Sequence, residues 1–245
     1  MQHFQWRYPR IIAHRGGALG PENTLAAMNI SAELGHKMIE CDVKASKDGV
    51  LFLLHDDTLE RTTNGRGIAG DLCWQALSAL DAGHYYHEAF AGERLPTLED
   101  VAAHCIANDV AINIEIKPSP GHDVETGRMA ALAAQALWAS SEVPPLLSSF
   151  SLESLAAAHD AVPDLPRGLL LDAWDDRCLD WAKELQCVSL HVNHLALNQH
   201  SVERIKAEGL YILAYTVNSA ERAHRLMAWG VDCVCTDRID RFEAP

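Results

Sequence analysis

Seven residues of this chain have types and spacings suited to catalysis. Glu40 and Asp42 stand two apart in MIECDVKASKDGVLFLLHDD, and Glu115 and Lys117 stand two apart in AINIEIK. Side chains alternate along a strand, so each pair shares one face if these segments are strands. Glu40, Asp42 and Glu115 then form an all-oxygen ligand set suited to a hard divalent cation, Mg²⁺ or Ca²⁺. Arg15 and Lys117 are fitted to hold non-bridging phosphate oxygens, Arg15 as a planar fork and Lys117 as a point charge. His14 and His55 are imidazoles able to act as acid and base on opposite sides of a phosphorus. A cation site, two basic side chains and two imidazoles together describe phosphodiester cleavage.

The elements that must position these groups alternate as strand and helix. Arg10–Ala13 is a short strand running into His14-Arg15-Gly16-Gly17. Pro21-Glu22-Asn23-Thr24 starts a helix through about Leu34, capped by Asn23 or Thr24. A strand opens at Met38, and Asp48-Gly49 is a hairpin signal leading to a return strand, Val50–Leu54, that ends at His55. With Asp48-Gly49 as a two-residue loop, Asp42 and His55 face each other directly. Residues 58–96 break the pattern and are expected to form a small insertion or lid. Thr97 then caps a helix through about Ala107, with Asp100 in its first turn. Further strands are expected at 111–117, 145–150, 167–172, 187–193, 211–217 and 231–236, with helices at 123–139, 151–160, 176–185, 199–208 and 219–228. Eight apolar strands in this alternation predict an α/β fold, a (β/α)₈ TIM barrel with a β-hairpin extension at strand 2, forming one domain over residues 1–245. A doubly wound sheet is the alternative, but no GxGxxG follows any strand.

Barrel enzymes carry their chemistry at the carboxyl ends of the strands. Those ends read His14-Arg15, Glu40/Asp42, Glu115/Lys117, Phe150, Asp172, His191/Asn193 and Tyr215. Phe150 and Tyr215 are accordingly candidates for the substrate pocket. Plainer readings exist: Lys117 bridging Glu115 for structure, His14 as a core histidine, Asp172 as a helix cap, and an exposed hairpin with a solvated polar side. His191 and His194 are further candidates, read as supporting the site from behind or as structural.

Twenty basic against 34 acidic side chains give a net charge of −14, which argues against nucleic acid or an anionic membrane as partner. Seven cysteines without CxxC spacing look reduced and buried, including the Cys233-Val-Cys235 pair. With no apolar leader in MQHFQWRYPR and no stretch long enough to span a membrane, a cytoplasmic location is expected.

His14-Arg15-Gly16, Pro21-Glu22-Asn23-Thr24, Glu40-x-Asp42, Asp48-Gly49, His55-Asp56, the RTTNG run and Glu115-Ile-Lys117 together resemble the glycerophosphodiester phosphodiesterases, most nearly the bacterial cytoplasmic type. The resemblance reaches Thr216-Val217-Asn218 and Gly230-Val231-Asp232. It implies a barrel with an insertion after the hairpin histidine and hydrolysis of glycerophosphodiesters to sn-glycerol 3-phosphate and an alcohol. It further implies that His14 and His55 are catalytic, that Glu40, Asp42 and Glu115 bind metal, and that Arg15 and Lys117 contact phosphate. Tyr215 stands where many members have Trp, and Cys233 where Gly is frequent. Related readings are a sphingomyelinase D-like phospholipid enzyme, which would need a membrane-docking surface, and a silent binding protein, which has no use for two paired imidazoles.

Overall fold

The computed structural model describes residues 4–242. Eight parallel strands close on themselves: β1 (Ile11–Ala13), β2 (Met38–Ala45), β4 (Ala111–Ile116), β5 (Leu146–Ser149), β6 (Arg167–Leu171), β7 (Ser189–Asn193), β8 (Tyr211–Tyr215) and β9 (Cys233–Thr236). β1 pairs with both β9 and β2, which shuts the barrel. Helices α1 (Leu25–Glu33), α3 (Leu98–Asn108), α4 (Asp123–Leu137), α5 (Leu152–Ala161), α6 (Arg177–Glu184), α7 (Gln199–Ala207) and α8 (Ala220–Trp229) cover its outside. Their boundaries follow local chemistry. Thr24 accepts from the Ala27 N–H to cap α1, and Thr97 with Asp100 forms a reciprocal capping box on α3. Among the described residues, no helix is long and apolar enough to cross a membrane.

Two apolar clusters lie between strands and helices. A third joins Ile12, Met38, Leu146, Leu213, Cys233 and Cys235 inside the barrel. Towards the amino end Trp6 stacks on Tyr211 with ring centroids 4.9 Å apart and meets Tyr8 edge-on at 4.9 Å. All seven cysteines are free thiols, and only Cys73 is exposed.

The ninth strand, β3 (Leu51–Leu53), runs antiparallel to β2 outside the barrel, as the hairpin predicts, but one step out of the expected register. Val43 pairs with Leu53 and Ala45 with Leu51, so the loop is Lys47-Asp48-Gly49, three residues rather than two. Gly49 alone takes positive φ (+84°), whereas a two-residue type I′ turn needs it at Asp48 as well. Ser46 Oγ accepts from Val50 N and donates to Asp48 Oδ1, locking the longer loop. Asp42 therefore faces Leu54, whose N–H donates to its carbonyl, and not His55. The direct Asp42–His55 opposition is corrected.

Residues 58–96 contribute no barrel strand; they hold the short helix α2 (Trp74–Leu77) around an apolar cluster of Phe52, Leu54, Leu59, Leu77 and Leu95. The segment leaves after β3 and returns beside it, where Leu53 N donates to Pro96 O.

Candidate active site

Glu40, Asp42 and Glu115 meet at the carboxyl mouth of the barrel. β2 and β4 are paired with Asp42 opposite Glu115, and the alternation brings Glu40 onto the same face. One oxygen from each lies within 4.8 Å of the others. Asp42 is fully buried, Glu40 is 4 % exposed, and the Glu115 side chain is 12 % exposed. Burial and the Asp42 charge push the Glu40 carboxyl up to about 8, and the same two causes push Glu115 up to about 7. Asp42 is held below the usual carboxylate range: burial works against this, but Arg15, His55, Lys117 and the Asn23 amide outweigh it. Glu40 Oε1 and Asp42 Oδ1 are buried with no hydrogen-bond partner. Three converging carboxylates, two of them with an orphaned oxygen, fit a hard cation.

Two basic side chains close over the acids. Lys117 Nζ donates to Glu115 Oε1 (2.8 Å) and lies 3.9 Å from Asp42 Oδ1. Arg15 Nε sits 3.1 Å from Asp42 Oδ2, its Nη1 donates to Glu22 Oε1 (2.8 Å), and its backbone N donates to Glu40 Oε2 (3.0 Å). That backbone aim needs the tight turn after β1, where Arg15 (φ 53°), Gly16 (87°) and Gly17 (90°) all take positive φ. A Cβ on Gly16 would also come within 2.9 Å of the Ala27 Cβ.

Each imidazole is oriented by a carboxylate. His14 Nδ1–H donates to Asp237 Oδ1 (2.6 Å), leaving Nε2 4.0 Å from Glu40 Oε2. Burial opposes charge on His14, but Asp237 and Glu40 prevail and its pKa is raised. His55 Nδ1–H donates to Asp56 Oδ1 (2.7 Å), and burial lowers its pKa against the pull of Asp42. His55 lies beyond the end of β3, so ladder parity does not govern its direction, and its charge acts on Asp42. Phe150, 42 % exposed, meets Tyr215 edge-on at 6.0 Å and has Lys117 Nζ 5.5 Å from its ring centroid. Asp172 does not cap a helix; it accepts from the Tyr215 hydroxyl (3.2 Å). His191 is fully buried on Ser189 Oγ, and His194 pairs with Arg222, both away from the acids.

Three supporting residues escape the strand-end reading. Asn23 grips Asp42 from both sides: its Nδ2 donates to Asp42 Oδ2 (2.8 Å) and its Oδ1 accepts from Asp42 N (3.0 Å). Asp237 sits at the end of β9, the one strand end omitted from that reading, and is held by Asn218 Nδ2 (2.8 Å). Asp56 directly follows His55 and accepts from its Nδ1–H.

The family model for the glycerophosphoryl diester phosphodiesterase family matches residues 14–241. A glycerophosphodiester phosphodiesterase of Caldanaerobacter subterraneus subsp. tengcongensis is 36 % identical over 232 residues, 93 % of each chain. One from Bacillus subtilis is 34 % identical over 248 residues, covering 94 % of this chain and 84 % of its own. The solved structure of an Oleispira antarctica phosphodiesterase in complex with the product sn-glycerol-3-phosphate superposes with a TM-score of 0.87. It is 31 % identical and covers 94 % of this chain and 93 % of its own. On the breadth of these matches, the chain belongs to the glycerophosphoryl diester phosphodiesterase family, a family of hydrolases.

Proposed function

We propose that this chain hydrolyses glycerophosphodiesters to sn-glycerol 3-phosphate and an alcohol, using a divalent cation, Mg²⁺ or Ca²⁺, held by Glu40, Asp42 and Glu115. The observation that carries the reading is the convergence of those three carboxylates, with two unpartnered oxygens, beside two basic side chains and two carboxylate-oriented imidazoles. A bound cation would supply Lewis-acid neutralisation of charge on the phosphoryl oxygens. Arg15 and Lys117 hold the remaining non-bridging oxygens and fix the phosphorus between the two histidines. His14 and His55 each have Nδ1 committed to a carboxylate, so Nε2 is the nitrogen that takes or gives a proton. One removes a proton from the attacking hydroxyl while the other protonates the departing alkoxide. Phe150 and Tyr215 line the substrate side next to Lys117. The unpaired, mostly buried thiols support a reducing, cytoplasmic setting.

A coupled assay for glycerol 3-phosphate tests the reading. Glycerophosphocholine with added Mg²⁺ or Ca²⁺ is expected to release it, and chelated protein is not. Release at the same rate from His14→Ala, or none from wild type across a panel of headgroups and metals, would overturn the proposal.

A further inference from the structure

The RTTNG run begins with Arg61, on the first turn of the insertion, which the phosphodiester chemistry above leaves without a task. Its guanidinium makes two forked contacts. Nε donates to Asp56 Oδ2 (2.6 Å) and Nη2 to Asp56 Oδ1 (3.0 Å), while Nη1 donates to Glu22 Oε2 (2.7 Å) and Nη2 to Glu22 Oε1 (2.8 Å). Asp56 is the carboxylate that holds His55 Nδ1, and Glu22 is the one that holds Arg15 Nη1. A continuous chain of charge-assisted bonds thus runs from His55 through Asp56, Arg61 and Glu22 to Arg15, which sits 3.1 Å from Asp42.

From this geometry we infer that Arg61 is a positioning residue: one planar fork, supplied by the insertion, fixes the two carboxylates that aim His55 and Arg15, and so sets the distance between imidazole and phosphate grip. The inference rests on the phosphodiesterase reading. Two features separate this role from ordinary surface pairing. The Arg61 side chain is 45 % exposed, so the fold gains little from it, yet its backbone is fixed by the buried neighbours Leu59, Thr62 and Thr63. Both orienting carboxylates also use the same oxygens for Arg61 and for the catalytic group: Asp56 Oδ1 serves His55 and Arg61 Nη2, and Glu22 Oε1 serves Arg15 and Arg61 Nη2. Without Arg61, Glu22 keeps only Arg15 and Asp56 only His55, and each carboxylate is free to turn about that single contact. A lysine in its place is a point charge and cannot pair with two carboxylates bidentately at once.

Steady-state kinetics on Arg61→Met and Arg61→Lys, with thermal unfolding and the hydrogen-bonded His55 Nδ1 proton followed by NMR, test this. Arg61→Met is expected to lower kcat by about tenfold to a hundredfold, the scale of a misplaced catalytic group. KM should change less, Tm should hold, and the His55 proton signal should broaden or vanish. Arg61→Lys should recover only part of the rate, and Arg61→Met with Asp56→Asn should be no worse than the more damaging single change. Wild-type kcat with an intact His55 signal in Arg61→Met would overturn the role, as would full recovery by lysine or a rate loss that merely tracks a fallen Tm. If wild type releases no glycerol 3-phosphate from any diester, the phosphodiesterase reading falls, and the His55 proton signal still decides the positioning role.

Discussion

The two ends of the barrel are built on the same alternation and carry opposite content. At the amino end an apolar cluster lies inward, Met38 on β2, Leu146 on β5, Leu213 on β8 and Cys233 on β9, with Trp6, Tyr8 and Tyr211 packed near it. Further along the same β2 strand, the same face carries Glu40, Asp42 and Lys44, all buried. The amino end gives up apolar surface to packing, which stabilises the fold. The carboxyl end buries like charges that Arg15 and Lys117 offset only in part, and leaves two carboxylate oxygens without partners, which costs stability. Stability and chemistry are thus separated by a few residues of one strand.

Substitutions at the two ends should part accordingly, and the largest effect belongs to the mouth. His14→Ala or His55→Ala should cost about 10²–10⁴ in kcat, the range of general acid–base catalysis, with little change in Tm. Steady-state rates beside unfolding curves check this; an equal loss of Tm would erase the separation. On the same strand as the acids, Met38→Ala should behave in the opposite way. It should lose about 2–5 kcal/mol of stability by denaturant titration, with the kcat of the folded protein retained.

The acids also make a pH prediction that the apolar end does not share. Glu40, at about 8 in the folded chain against an ordinary 4.5, keeps a proton that the unfolded chain has lost. Without metal, its contribution is therefore neutral below the unfolded value, and stability declines as pH rises through the window between about 5 and about 8. Chelated wild type should show this decline more steeply than chelated Glu40→Gln in unfolding curves across that window. Because the ligands must be deprotonated to bind, metal affinity should rise over the same range. The smallest effect concerns the outer part of the mouth. Glycerophosphocholine, glycerophosphoethanolamine and glycerophosphoglycerol should turn over within about tenfold of one another, ~1.4 kcal/mol of barrier, since the polar grip addresses phosphate. A preference of several hundredfold would show that the headgroup is specifically read.

Most of this was legible in the residues because it rests on short periods. The i, i+2 pairs Glu40/Asp42 and Glu115/Lys117 needed only strand alternation to share a face, and the apolar runs with Thr and Ser caps marked the barrel. What was not legible depends on partners far away in sequence. Asp48-Gly49 announces a turn, but the loop length is settled by Ser46 Oγ and by the Trp74 N–H, which donates to Asp48 Oδ1 across 26 residues. The hold of Asp237 on His14 spans 223 residues, and Arg61 reaches Glu22 across 39. No local pattern encodes such contacts. Asp237 had a usable positional signal, since it follows the last strand of the barrel.

The most direct test of the account pairs metal binding with turnover in the same samples. Chelated wild type and Glu40→Gln are titrated with Mg²⁺ and with Ca²⁺, following Tm and glycerol 3-phosphate release from glycerophosphocholine. In wild type at least one cation should raise Tm and restore release together, while Glu40→Gln shows neither at the same concentrations. Full release by chelated wild type, or an unchanged metal response in Glu40→Gln, would contradict a cation site at Glu40, Asp42 and Glu115.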